Sequence, residues 1–123
     1  MKLILRQAKI IDARSKFHNQ TVDIQIAGSV IEKIGAKLAN PGKYEEVTLE
    51  NLHVSNGWFD SSVSLGEPGF EDRETIASGL QAAAKSGFTG IALQPNCFPV
   101  TDNQSQINFL KNKANGFATE VFP

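Results

Sequence analysis

Residues 57–69 of the chain read Gly-Trp-Phe-Asp-Ser-Ser-Val-Ser-Leu-Gly-Glu-Pro-Gly, and a strand pattern gives way to a loop within this stretch. Its first half has the apolar residues of a short buried strand. Its second half, continuing to Arg73, has the glycine, proline and charged residues that are typical of a loop. The chain before it has the pattern of β-strands, and the chain after it alternates helix and strand patterns. The sequence therefore predicts two parts, residues 1–56 and residues 57–123.

Residues 57–123 predict an α/β fold, because strand and helix patterns alternate with short connections. The first helix is expected to begin at Asp72 as its N-cap and to stop at Gly87. Strands are expected at residues 89–93 and 119–122. The helices between them make the strands parallel, and each crossover should then be right-handed. The apolar positions that indicate the two helices are Ile76, Leu80, Ala83 and Ala84, then Ile107, Leu110 and Ala114.

Residues 1–56 predict β structure, because apolar and polar residues alternate with a period of two. The first strand runs from Leu3 to Ile11 through a slight irregularity at residues 7–9. A turn centred on Gly28 separates two further strands and predicts a hairpin. The later strands of this part are expected at residues 22–26, 30–34, 47–49 and 53–54.

The composition favours an ordinary globular protein and excludes several classes of function. Twelve basic and thirteen acidic residues give a formal net charge of -1, so we expect no binding to nucleic acid or to an acidic membrane surface. The single cysteine, Cys97, excludes an intrachain disulfide. No apolar run has the length of a secretory leader or of a membrane span. A cytoplasmic location is therefore expected.

Two motifs in the second part are specific enough to identify a family. One ends in Glu-Pro-Gly at residues 67–69, and the other reads Gly-Phe-Thr-Gly-Ile-Ala-Leu-Gln-Pro-Asn at residues 87–96. They resemble the dihydroorotase branch of the amidohydrolase superfamily, with allantoinases as close relatives. Members of that branch typically read Pro-Gly-x-x-Asp-x-His-x-His-x-Arg-Glu-Pro-Gly at the first barrel strand. At the second strand they read Gly-Phe-Thr-x-x-x-x-Met-Pro-Asn.

The resemblance implies an α/β fold in which a small composite β domain precedes a (β/α)8 TIM barrel. Residues 1–56 would be the N-terminal β-sandwich segment, and residues 57–123 would be the first β/α units of the barrel. A closed barrel needs roughly 250 residues, so the barrel is incomplete in this chain. We therefore expect a fragment whose fold is completed by the remainder of the barrel or by a second polypeptide.

The chain departs from the family pattern at the positions that bind metal. Aligned on Asp60 and on Glu-Pro-Gly, the two family histidines fall on Ser62 and Ser64, and the arginine falls on Gly66. In the family, the histidines bind zinc, and the arginine and the asparagine of Pro-Asn hold the substrate carboxylate. Neutral hydroxyls are poor zinc ligands, and glycine cannot pair with a carboxylate. The resemblance therefore leaves Asn96 as the predicted substrate-binding residue, with no catalytic residue, metal ligand or cofactor expected in this chain.

The remaining polar candidates are better explained by local structure. Cys97 as a nucleophile would need a nearby base, and no histidine lies close to it in the sequence. His18 and His53 precede the barrel, and neither pairs at i, i+2 with another ligand. One group of carboxylates could be imagined as a replacement metal site, but loop support and a helix N-terminus explain it more simply. This group consists of Glu67, Glu71, Asp72 and Glu74.

Three functional hypotheses follow from these residues. The first is a non-catalytic dihydroorotase homologue of pyrimidine biosynthesis, which resembles homologues that act as structural or activating partners of aspartate carbamoyltransferase. The second is an active hydrolase of a cyclic amide, dihydroorotase or allantoinase, with metal ligands beyond residue 123. The third is a truncated chain with no independent function. A homodimer is expected, because dimers are common in the family.

Overall fold

The computed structural model describes residues 1–123, which form two compact units, Met1–Asn56 and Gly57–Pro123. The first unit contains β1 (Lys2–Ile11), β2 (Thr21–Ala27), β3 (Val30–Gly35), β4 (Glu45–Thr48) and β5 (His53–Ser55). The second contains β6 (Trp58–Val63), α1 (Ile76–Lys85), β7 (Phe88–Leu93), α2 (Gln104–Lys113) and β8 (Glu120–Phe122). Neither of the ten-residue helices is long and apolar enough to cross a membrane.

The strands of the first unit form one five-stranded sheet in the order β3-β2-β1-β4, with β5 also paired to β1. The β2–β3 hairpin is confirmed, and Gly28 has the positive φ of 62° that its turn requires. β4 and β5 both run parallel to β1, and each pairs with a different half of it. The second sheet of the predicted sandwich is not part of this unit, so the sandwich stays a prediction.

The irregularity predicted in β1 is confirmed, and a buried carboxylate stabilises it. The register with β2 shifts between Leu5 and Ala8, and Gln7 has a positive φ of 51°. Asp23, which is 1% exposed, accepts hydrogen bonds from the backbone N–H groups of Gln7 and Leu38, both at 3.0 Å. Its other partner is the Arg6 guanidinium at 2.6 Å. The bulge therefore depends on one ionised side chain.

The pKa values in this network favour the charged forms. Burial raises the pKa of the Asp23 carboxyl, but the hydrogen bonds from Gln7, Leu38 and Arg6 together lower it further than burial raises it. Arg6 also donates to Glu46, whose pKa it lowers. The two carboxylates raise the pKa of the Arg6 guanidinium.

The second unit contains the predicted β–α–β–α–β series. Its sheet has the order β6-β7-β8, and both strand pairings are parallel. The two helices cover one face and close a core with the sheet. Thr119 is buried beside β8 and donates its hydroxyl to the Phe88 carbonyl at 2.7 Å. The core residues are Leu65, Ile76, Leu80, Ile91, Leu110 and Val121.

The N-cap predicted for α1 is wrong. The cap is Thr75, whose hydroxyl accepts from the Ser78 N–H at 3.1 Å, while the Ser78 hydroxyl accepts from the Thr75 N–H. Asp72 lies instead in a turn that is closed by a bond from Arg73 N–H to the Phe70 carbonyl. The expected stop is confirmed, since Gly87 has a φ of 88° just beyond the helix.

Within this chain the start of β6 is not buried, which differs from the buried strand that the sequence predicted. Trp58 and Phe59 at its start are 64% and 57% exposed. The helices cover only one face of the sheet, and the Phe59 ring lies on the other face. There it meets the Phe122 ring edge to face, with centroids 5.6 Å apart, across Gly90. The apolar residues predicted a strand here, but they did not indicate which of its side chains other elements bury.

Glu67 connects the loop after β6 to both helices. Its Oε2 accepts the Ile76 N–H at the start of α1 at 3.0 Å. Its Oε1 lies 3.0 Å from the Lys113 ammonium at the end of α2. The Glu67 side chain is only 11% exposed. A carboxylate at a helix N-terminus also interacts favourably with the helix dipole.

We expect Asp23→Asn to destabilise the first unit by roughly 3 kcal/mol, because it leaves Arg6 with a broken, partly buried ion pair. Because the pKa of Asp23 is lower in the folded protein than in the unfolded chain, the unfolded chain binds that proton more readily. The stabilisation is therefore complete above about pH 3.9 and is lost as the pH falls through the lower, folded pKa. Hydrogen exchange of β1 and β2 amides between acidic and neutral pH measures this.

The matched control is Glu45→Gln, because Glu45 is exposed and its side chain makes no hydrogen bond or ion pair. An equal loss of protection in the two variants would contradict the role of Asp23.

We expect Glu67→Ala to lower the free energy of unfolding of the second unit by about 1–3 kcal/mol, because the Ile76 N–H loses its acceptor. Lys113→Met should cost less than about 1 kcal/mol, since the Lys113 side chain is 52% exposed. Chemical denaturation followed by Trp58 fluorescence measures both. Equal losses would mean that the ion pair, and not the contact with α1, carries the stabilisation.

Candidate functional site

Four uncharged side chains meet at the carboxyl ends of β6 and β7. Gln94 donates its amide to the Ser62 hydroxyl at 3.1 Å. Asn96 donates its amide to the Ser64 hydroxyl at 2.8 Å, and that hydroxyl lies 3.1 Å from the Asn96 carbonyl oxygen. Ligands bind at the carboxyl ends of strands in α/β folds. Ser62, Ser64 and Asn96, which the sequence singled out for the family's metal and substrate positions, therefore lie together. Each serine lies beside an amide side chain just beyond the end of β7.

An irregularity in β6 places the two serines. The register with β7 shifts between Asp60 and Val63, so β6 has an extra residue there. Asp60 accepts the N–H of Ser62 at 2.9 Å, which satisfies a donor that the bulge would leave unpaired. Main-chain pairing resumes with the Gln94 N–H, which donates to the Val63 carbonyl at 2.8 Å.

The loop after β6 leaves no room for a side chain at residue 66. Gly66 is buried, and its carbonyl accepts the Phe70 N–H at 2.8 Å. A Cβ added to Gly66 would lie 2.2 Å from the Phe70 carbonyl oxygen and 2.7 Å from that of Glu74. Both are backbone atoms, which cannot rotate away. The position of the family's arginine is therefore closed by the backbone of the same loop.

The side chains at the strand ends do not fit zinc. Zinc binds imidazole, thiolate and carboxylate, whereas this group offers neutral hydroxyls and amides. The one carboxylate nearby, Asp60, accepts a backbone N–H of its own strand. No three histidine, cysteine or acidic residues in the structure are close enough to hold a metal ion together. The chemistry available here is uncharged hydrogen bonding.

Of the roles that the sequence favoured for the acidic group, loop support holds for Glu67, but the helix N-terminus does not hold for the others, because the first turn of α1 contains no acidic residue. In the acidic group, Glu67 joins the helices, Glu74 accepts the Ser78 hydroxyl, and Glu71 accepts the Gly69 N–H, which lowers the Glu71 pKa. Cys97 is buried, with its sulfur 3.1 Å from the Thr101 hydroxyl.

The two histidines lie in the first unit. His18 is in the turn after β1, and the His53 ring lies 2.6 Å from the Asn51 carbonyl.

Sequence reasoning missed Gln94. It stands where the resembled family has methionine in Met-Pro-Asn, and it contacts Ser62, which stands where that family has its first histidine. The signal was present, because a polar residue replaces an apolar one at a strand end beside the other replaced positions. The substrate-binding role of Asn96 stays a prediction.

Comparison with known proteins gives a consistent family. A sequence profile described as dihydro-orotase-like matches residues 53–122, more than half of the chain. A dihydroorotase from Ruminiclostridium cellulolyticum is 36% identical over the whole chain, and one from Pelotomaculum thermopropionicum is 37% identical. The chain spans 28% of the length of each of these relatives.

Solved structures share the fold. L-hydantoinase (dihydropyrimidinase) from Arthrobacter aurescens superposes with a TM-score of 0.68 at 19% identity, over 91% of this chain and 24% of that one. A prolidase in complex with N-methylphosphonate-L-proline superposes with a TM-score of 0.62 at 14% identity, over 100% of this chain and 31% of that one. These similarities confirm the predicted fold class, a β domain followed by the first units of a (β/α)8 barrel.

We expect Gly66→Arg to destabilise the second unit by about 1–3 kcal/mol, because the new Cβ displaces loop backbone. Gly66→Ala should cost nearly as much, since the clash is with Cβ itself. Gly116→Ala separates backbone strain from the clash, because an added Cβ there meets nothing within 4 Å while its φ of 86° strains any residue with a Cβ. Thermal denaturation measures all three. A stable Gly66→Ala variant would show that the loop can open to admit a side chain.

Proposed function

This chain belongs to the dihydroorotase-like family, and we propose that it is part of a non-catalytic family member that acts in pyrimidine biosynthesis. In this proposal the protein keeps the barrel and the Glu-Pro-Gly loop but does not hydrolyse a cyclic amide. Its role is structural, through the outer surface of the barrel, because fold and active site are separable.

The observation that carries the proposal is the bonding of Ser62 and Ser64. Both stand at the histidine positions of the family, and both hydroxyls are hydrogen-bonded to side-chain amides of the loop that follows β7. Hydrolysis in the family relies on a metal that lowers the pKa of a bound water and polarises the carbonyl. Without these two ligands the open coordination that the reaction needs is lost. Gly66 adds a second loss, since no cation at that position can hold a substrate carboxylate.

The partners belong to the same proposal. A non-catalytic barrel would assemble with aspartate carbamoyltransferase and would itself form a homodimer. The cytoplasm is the location that the sequence predicts for this assembly.

An alternative is an active cyclic amide hydrolase whose metal is held by ligands beyond residue 123. The relatives at 33–37% identity, all named dihydroorotase, favour this alternative. The substitution of two ligand positions and the arginine position together argues against it.

The deciding measurement is turnover of dihydroorotate by the full-length protein, with added zinc and with a chelator. We expect turnover at the level of a buffer control in both conditions, from protein that is folded by circular dichroism. A dihydroorotase that retains both histidines, assayed in parallel, controls for the assay. Turnover that appears with zinc and disappears with the chelator would establish the alternative.

A further inference from the structure

Main-chain pairing between β6 and β7 is interrupted before the strands end. The partners are Asp60 with Ile91 and then Val63 with Leu93, so Ser61 and Ser62 together face one residue of β7. A bulge of this kind locally weakens the ladder. The two loops that form this end of the unit, residues 64–75 and 94–103, both start just beyond it.

Side chains take over the connection at this place. Ser62 forms a hydrogen bond with Gln94, and Ser64 forms one with Asn96. The two serines are two residues apart at the end of β6, and their partners are also two residues apart just beyond β7. In the contact between Ser64 and Asn96, the hydroxyl accepts the amide N–H at 2.8 Å. All four side chains are exposed to solvent. None of the four side chains gains or loses a proton near neutral pH, so their hydrogen bonds do not depend on pH there.

We propose that Ser62, Ser64, Gln94 and Asn96 form a metal-independent clasp that holds the ends of β6 and β7 together and sets the spacing of the loops beyond them. The clasp is a positioning device, and its assignment does not depend on whether the whole protein is catalytic. A bound metal would link the same two strand ends only through charged or imidazole ligands, which these positions lack.

The loops show what the clasp positions. The Phe98 N–H donates to the Pro68 carbonyl at 2.9 Å. Gly69 lies so close to the same residue that an added Cβ would be 2.2 Å from the Phe98 carbonyl oxygen. This backbone contact joins the two loops only a few residues beyond Ser64 and Asn96. Loss of the clasp should therefore loosen the Pro68–Phe98 contact, although neither residue belongs to the clasp.

The test is amide hydrogen exchange in the full-length protein, read at Phe98 and at Gln94. Ser64→Ala should speed exchange at both amides about five-fold, the rate equivalent of roughly 1 kcal/mol for one hydrogen bond. Asn96→Ala should give the same increase at Phe98, and the double variant should add little to it, since the bond is lost once. Ser64→Thr keeps the hydroxyl and should exchange like the unaltered protein.

Ser61→Ala is the matched control, because Ser61 is exposed in the same bulge and makes no side-chain hydrogen bond. The proposal fails if Ser61→Ala speeds exchange as much as Ser64→Ala, or if the effects of Ser64→Ala and Asn96→Ala simply add.

A metal arm uses zinc alone and a chelator alone on the unaltered protein. Exchange at Phe98 and Gln94 should be the same in both. Zinc-dependent protection of these amides would overturn the clasp, because a metal would then hold the strand ends. Since this readout is site-resolved and needs no substrate, it is separate from the turnover assay that tests the proposed function.

Discussion

The candidate site depends on the two interactions that the Glu67 carboxylate makes with the helices. One of its oxygens accepts the first backbone N–H of α1, and the other pairs with Lys113 at the end of α2. The loop that contains it is therefore tied to both helices of the second unit. That loop closes the space at Gly66 and makes the backbone contact with Phe98. A largely buried carboxylate that accepts a helix N–H is costly to remove, because the N–H would lose its acceptor.

The strand ends show how a family position can change its chemistry without a change of fold. At the histidine positions the chain has serines, and just beyond the next strand it has a glutamine and an asparagine that form hydrogen bonds with them. Neutral side chains at a strand end must find partners or water, and here they find each other across the bulge. The result is a locally satisfied surface that needs no ion. The side chains of the site can change without a change of fold, because the core lies on the other side of the sheet. It is formed there by Ile91, Val121 and the two helices.

The first unit uses a buried carboxylate for a similar purpose. Asp23 satisfies the N–H groups of Gln7 and Leu38 and neutralises Arg6, so that a residue with positive φ is stable in the middle of β1. The irregularity was visible in the sequence as a break in alternation at residues 7–9. The ion pair was not visible, because Arg6 and Asp23 are 17 residues apart and meet only through the pairing of β1 with β2.

Periodicity along the chain determined the strands and the two helices, and their alternation with short connections determined the parallel order of the second unit. The family resemblance came from two motifs, one ending in Glu-Pro-Gly and one ending in Pro-Asn. Local spacing was not enough at Asp72, where turn bonds in the preceding loop move the helix start to Thr75. It was not enough at Phe59 either, where apolar character indicated burial but the sheet face has no covering layer in this unit. The pairing of Ser62 with Gln94 joins residues 32 positions apart. Only the tertiary structure decided these points. Burial and hydrogen-bond partners depend on contacts between segments that are distant in the sequence and that meet only when the sheet forms.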